Sequence, residues 1–408
     1  MDMPQDLSGY ILDSGVLRLL TFTTLFPNTA HPNHGVFVEN RLRHLVGTGA
    51  AVSTVLAPVP WYPRHLPGPR SWTRLADIPT VESRGGITVH HPRYPAIPRI
   101  GMSAAPALLY MAALRAVRRL RDAGLAIDAI DAHYLYPDGV AAVRLGQALG
   151  IPVVLTARGS DITRLPDFAL PRRMIAWAIR NADALIAVSA ALGARLIALG
   201  ADPARVTVLR NGVDLAQFRP PPYRAAARAA LGLVHPTLLS VGHLIERKGH
   251  DRVIGALARL PEQVTLLVAG EGPQEAALKA LASRLGVAGR VRFLGSIPHA
   301  GLAAVYGAAD ALVLASSREG WANVLLEAMA CGTPVVASPI PGNDEVVRRA
   351  AAGVIAAENT PQALADAIEG LLADPPTRAA TRAYAEGFGW EETSAGQLAV
   401  FRRVVSRC

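Results

Sequence analysis

The chain has 408 residues, of which 51% are hydrophobic and only 18% charged, with a formal net charge of +9 and an isoelectric point near 10.0. That length gives room for two to three domains, and the apolar content, without low-complexity tracts, excludes wholesale disorder. The positive balance favours acidic partners (nucleotide phosphates, anionic lipid head groups or nucleic acid); only two lysines occur, Lys248 and Lys279, so an arginine-rich coding bias produces the same number without any partner.

In chain order, the N-terminus MDMPQDLSGY is acidic and polar, which predicts no signal peptide. The first strand is expected over VLRLLTF, Val16 to Phe22. The runs AVSTVLA, IDAIDAH, PVVLTA, ADALIAVS and RVTVLR continue as strands, with helices starting near Val36, Ser103, Asp138, Leu170 and Ala190. Such alternation predicts a parallel sheet with helices on both faces. The helix around Leu108 to Gly124 places Arg115, Arg118, Arg119 and Arg121 on one arc and Leu109, Val117 and Leu120 opposite. It reads equally as a peripheral membrane face and as a core-packed helix with a solvated basic side.

Near Phe218 the pattern breaks at FRPPPYRAAARAALGLVHP, the best linker. A second alternating series follows: TLLSVG, VTLLVAG, VRFLG, ALVLAS, TPVVAS and AGVIAA. The expected organisation is two doubly wound α/β domains, 1–218 and 219–385, with a terminal helix in 386–408 that packs back on the first domain. Ligands of open α/β sheets bind beyond the carboxyl ends of the strands, so two facing domains predict one cleft for two substrates. No uncharged apolar run reaches ~18 residues, so no membrane-spanning helix is expected. The two cysteines, Cys331 and Cys408, fit a reducing compartment, and a cytoplasmic location follows, with a peripheral place on the plasma membrane open. No cysteine or histidine cluster of metal-binding type occurs in the sequence, and neither a metal nor a cofactor is expected.

Two motifs carry chemistry. In VGHLIERKGH, Val241 to His250, a strand ends, and Arg247 and Lys248 stand where a cation reaches a ligand phosphate, with Gly242 and Gly249 relieving crowding. The bland alternative is a solvated charged loop. In SSREGWANVLLEAMACGTPVV, Ser316 to Val336, Glu319 falls in a loop and Glu327 two turns into the helix that follows. Free backbone N–H groups at that helix start favour an anion. Taken alone, Glu319 also reads as an exposed loop charge and Glu327 as a buried structural carboxylate.

E-x7-E in this strand–loop–helix setting, behind Arg-Lys in the first loop of its domain, resembles the retaining glycosyltransferases of family 4, with the GT-B fold of two Rossmann-like domains. LFPNTAHPNHGVFVENRLRHL, DAHYLYPDG, TARGSDI and LRNGVD extend the resemblance over nearly the whole chain, toward bacterial enzymes of exopolysaccharide and teichuronic-acid-type synthesis. The resemblance implies a hexosyltransferase that takes a sugar from a nucleoside-diphosphate sugar, UDP- or GDP-linked, and passes it to a lipid-linked saccharide. Arg247 and Lys248 would hold the diphosphate beside Gly242. Glu319, Gly320, Trp321, Ala322 and Asn323 would hold the sugar and distal phosphate, and Glu327 the ribose. His133 would lie near the reacting centre. Asn33, His34 and Gly35, with Arg158 and Asp161, would form the acceptor side, although Asp161 also reads as a helix-start cap. Arg158 stands where many relatives have histidine. Asn211 would lie just behind the cleft. Nucleic acid is not an expected partner, since no RNA-binding sheet motif or zinc finger appears.

Overall fold

A computed structural model of the chain describes residues 15–61, 75–95 and 101–407; the N-terminal decapeptide and Cys408 lie outside them. The first sheet has eight strands in the order β10-β9-β8-β7-β1-β2-β5-β4. These are β1 (Leu17–Phe22), β2 (Ala51–Leu56), β4 (Val81–Arg84), β5 (Ile87–His90), β7 (Ala129–His133), β8 (Val153–Ala157), β9 (Ala184–Ala187) and β10 (Val206–Val208). All neighbours run parallel except the β4–β5 hairpin. This hairpin and the small parallel pair β3 (Val59–Trp61) and β6 (Arg93–Pro95) lie outside the strands expected from the sequence. The second sheet is fully parallel, in the order β13-β12-β11-β14-β15-β16. It comprises β11 (Thr237–Val241), β12 (Thr265–Ala269), β13 (Val291–Gly295), β14 (Ala311–Leu314), β15 (Val335–Ala337) and β16 (Gly353–Ile355).

Strands β7, β8 and β11 are buried at every position, which is why they read as unbroken apolar runs. Each sheet has a crossover point in its strand order, between β1 and β7 and between β11 and β14. Loops leaving adjacent strands at such a point diverge to opposite faces and open a crevice. The loops after β1, β7, β11 and β14 thereby become the walls of the cleft.

The helix Gly101–Asp122 buries Leu109, Ala113 and Val117 in the first core and leaves Arg115, Arg118, Arg119 and Arg121 exposed. Among the described residues no helix is long and apolar enough to cross a membrane. The linker helix Arg224–Ala230 is tied to the second domain, Arg224 and Arg228 both reaching Asp310, at 2.6 and 2.9 Å. The last helix, Glu391–Val405, packs Phe401 and Val404 against Leu17, Leu19 and Val154 of the first sheet. Phe401 is fully buried, and such a side chain contributes about 1.5–3 kcal/mol.

Candidate active site

The loop after β11 turns at Gly249, whose φ is 69° and whose missing Cβ would collide with the Ala315 carbonyl. A glycine there lets the short 3-10 turn Glu246–Lys248 lie against the loop after β14. Lys248 Nζ then reaches Glu319 Oε1 at 2.7 Å, and Arg247 Nη1 reaches Glu319 Oε2 at 3.3 Å and the Arg318 carbonyl at 2.9 Å. Ser316 Oγ donates a further 2.7 Å bond to Glu319. Burial works to raise the Glu319 pKa, but Lys248 and Arg247 outweigh it and hold the carboxyl below its usual range.

Glu327 lies on the helix Asn323–Ala330 with both oxygens engaged, one by His299 Nε2 at 3.0 Å and one by Tyr306 Oη at 2.8 Å. Burial opposes charge on His299, yet Glu327 raises its pKa on balance.

Two cavities open into the cleft. The larger, about 650 Å³, has Gly242, His243, Glu271, Ser296 and His299 on one wall and His31, Asn33, His34 and Gly35 on the other. The smaller, about 460 Å³, has Arg247, Lys248 and residues 318–324 of the second domain facing Tyr134, Arg158, Ser160 and Arg164 of the first. The domains touch beside it. A Cβ on Gly320 would strike the Arg158 carbonyl, and the Gly159 backbone lies against it. Glu345, from the second domain, accepts Ala190 N and Ala191 N at 3.1 and 3.2 Å at the start of a first-domain helix and pairs with Arg210 at 2.6 Å.

Under the first-domain wall lies a buried polar cluster. Arg158 Nη2 donates to His133 Nδ1 at 2.7 Å, and His133 Nε2 is 3.1 Å from Asp131. Burial first, then the nearby Arg158 and Arg41 charges, push the His133 pKa down to about 4, so the ring is neutral. Burial also lowers Arg158, to about 10.

Residues 34–217 match the family described as Glycosyltransferase Family 4, and residues 227–388 match Glycosyl transferases group 1. D-inositol 3-phosphate glycosyltransferase 1 of Catenulispora acidiphila is 33% identical, the alignment covering 95% of this chain and 96% of that protein. The chain is a family 4 glycosyltransferase. The D-inositol 3-phosphate glycosyltransferase of Mycobacterium tuberculosis is 40% identical over 56% of this chain and 50% of its own length. Two solved structures share the GT-B architecture. Sucrose-phosphate synthase from Thermosynechococcus elongatus has a TM-score of 0.79 at 23% identity, covering 96% of this chain and 100% of the other. Anabaena HepE in complex with UDP-glucose has a TM-score of 0.71 at 22% identity, covering 94% and 98%.

In this glycosyltransferase the structure brings Arg247, Lys248, Glu319, Gly320, Trp321, Ala322 and Asn323 together around the smaller cavity. Gly242 borders the larger one. Four expectations are altered. Glu327 lines neither cavity and sits behind His299. Asn33, His34 and Gly35 wall the larger cavity, opposite Gly242, and not the one that holds Arg158. His133 is 1% exposed and is screened from the cleft by Arg158. Asp161 is fully buried and accepts Leu135 N, Arg158 N and Gly159 N, so it shapes the backbone of the wall and does not face a substrate. His243, His299, Tyr134 and Arg164 were missed. Tyr134 follows β7 with φ 78°, alone among the described non-glycine residues in the left-handed region, and bonds Ser160 Oγ at 2.7 Å; a histidine beside Gly242 was the one signal that sequence reading passed over.

Proposed function

We propose that this enzyme transfers a hexose from a UDP- or GDP-linked sugar to a hydroxyl of an anionic acceptor, with retention of anomeric configuration and without a metal. One observation carries the reading: a single loop serves both cavities, Gly242 and His243 bordering the larger, Arg247 and Lys248 the smaller. A nucleoside in the larger cavity, with its diphosphate over that loop, delivers the sugar into the smaller one. Lys248, Arg247 and the positive end of the helix Asn323–Ala330 then stabilise charge on the departing diphosphate. The UDP-glucose held by Anabaena HepE, a protein of the same fold, supports such a donor. Among the described residues lining the smaller cavity, Glu319 is the single carboxylate, and its oxygens are taken by Lys248, Arg247 and Ser316. That favours attack from the face of the leaving diphosphate, whose oxygen takes the acceptor proton.

Arg158, Arg164, Tyr134 and Ser160 form the opposite wall, which fits an acceptor carrying phosphate near its hydroxyl. A phosphorylated cyclitol, as in the names of the relatives, and a lipid-linked saccharide of cell-surface polysaccharide synthesis share that chemistry. For the second, the exposed arginine face of the helix Gly101–Asp122 offers a contact with the anionic cytoplasmic membrane face.

The test is calorimetry with UDP, GDP and their hexose conjugates, followed by transfer assays on both acceptor classes. Lys248→Ala removes a charge-assisted bond of about 1.5–3 kcal/mol, so nucleotide affinity falls tenfold or more. Unchanged affinity overturns the donor site, and transfer to neither acceptor class overturns the anionic acceptor.

A further inference from the structure

Asn211 leaves β10 between the two domains and is 4% exposed; it lines the smaller cavity and does not lie behind the cleft as expected. Its Oδ1 accepts from two guanidiniums, Arg41 Nη1, buried, and Arg158 Nη1, half-buried, each at 3.1 Å. Two cation donors on one side fix which end of the amide is oxygen. The Nδ2 end therefore points the other way and donates to Asn323 Oδ1, across the domain boundary, at 3.2 Å. The Asn211 carbonyl meanwhile accepts Trp321 Nε1 at 3.1 Å, which holds the loop carrying Asn323 in register. With its oxygen turned toward Asn211, Asn323 has its Nδ2 on the opposite side, and Asn323 lines the smaller cavity at the first position of the helix.

We infer that Asn211 is a positioning residue in an amide relay: Arg41 and Arg158 of the acceptor domain orient Asn211, and Asn211 turns the N–H end of Asn323 toward the donor's distal phosphate and sugar. The inference rests on the donor site proposed above. Its chemistry is a matter of polarity. A phosphate oxygen needs a donor, and an amide facing it the wrong way presents a carbonyl instead. Only a side chain that accepts on one end and donates on the other transmits the orientation. Arginines of one domain thereby set the hydrogen-bonding sense of a group that serves the other domain's substrate.

Asn211→Asp tests the role from the binding side, and because Asn211 lines the smaller cavity, where a new carboxylate also repels phosphate, the Asn323 cycle below separates the relay from that repulsion. A carboxylate satisfies both arginines, so packing is kept, but it offers no N–H to Asn323. The Asn323 amide then turns over to donate to the carboxylate and shows its carbonyl to the ligand. The expected result is a tenfold or greater rise in nucleotide-sugar Kd and KM, with a melting temperature at or above wild type. Nucleotide-sugar affinity within twofold of wild type overturns the relay. A second cycle reads it independently of how well that variant folds. Asn323→Ala weakens the nucleotide sugar on its own, and Asn211→Ala added to it has no further effect; additive losses overturn the relay. If Lys248→Ala and Asn323→Ala both bind nucleotide sugar as wild type does, the donor site itself is wrong. If they weaken it while Asn211→Asp does not, only the relay falls.

Discussion

Glu319→Gln tests the charge arrangement at the centre of the cleft. The Glu319 side chain is 9% exposed and its nearer partner, Lys248, 16%. Removing one charge from such a pair strands the other in a poorly solvated place, at a cost of about 3–5 kcal/mol. The Arg247 contact is longer, 3.3 Å, and Arg247 is 35% exposed, so screening leaves it little weight. Glutamine keeps one acceptor for Lys248, which puts the loss near the lower end, about 3 kcal/mol. For a domain of this size that is a fall in Tm of roughly 6–12 °C. A bound diphosphate supplies the missing negative charge. The variant should therefore bind bare UDP or GDP at least as tightly as wild type and gain more Tm from it, while kcat falls at least tenfold because the sugar loses its carboxylate. The acid limb follows from the lowered pKa. The Glu319 contribution is complete above the ordinary carboxyl value of 4.5 and is lost as pH falls through the depressed folded value. Glu319→Gln should lack that component of acid destabilisation. Scanning calorimetry with and without nucleotide, over a pH series, reads all of this. A variant with wild-type Tm and no extra gain from nucleotide would refute the counter-charge reasoning.

Gly320→Ala should leave nucleotide affinity within about threefold but lower kcat tenfold or more, since its Cβ has to push the Arg158 carbonyl away; normal turnover shows that the domains need not meet there. Glu327→Gln removes the partner that raises the His299 pKa. That contribution is complete below the ordinary histidine value of 6.5 and fades as pH rises through the folded value, so the decline of wild-type Tm above pH 6.5 should be shallower in the variant, and equal slopes contradict it. Transfer activity should survive EDTA, because cations of the chain neutralise the diphosphate; complete loss reversed by magnesium would overturn that scheme.

Strands such as β7, β8 and β11 were legible because burial on both faces writes an uninterrupted apolar run. The hairpin was not: Val81–Arg84 alternates between exposed and half-buried positions, and the Gly85-Gly86 turn was the signal left unused. The cationic loop and the loop carboxylate could be read because strand ends in this architecture face the cleft. Partners could not. His299 and Tyr306 meet Glu327 from 28 and 21 residues away, and no local spacing pairs them. That Asn33 to Gly35 wall a different cavity from Arg158 was not legible for a related reason. Which cavity a loop walls depends on how the two domains face each other, and neither half of the sequence encodes that by itself.

The contact of Gly159 with Gly320 joins two stretches of bare backbone. Beside it, Trp321 and Asn323 bond Asn211 across the boundary. A charged fastening lies at Glu345, where helix N–H groups and Arg210 converge on one carboxylate. Arg210 is 37% exposed, and an ion pair this wet weakens as dissolved salt rises. Ionic strength thus becomes a handle on how readily the two halves separate. Where escape of the spent nucleotide limits turnover, added salt should speed the enzyme up before it erodes donor binding.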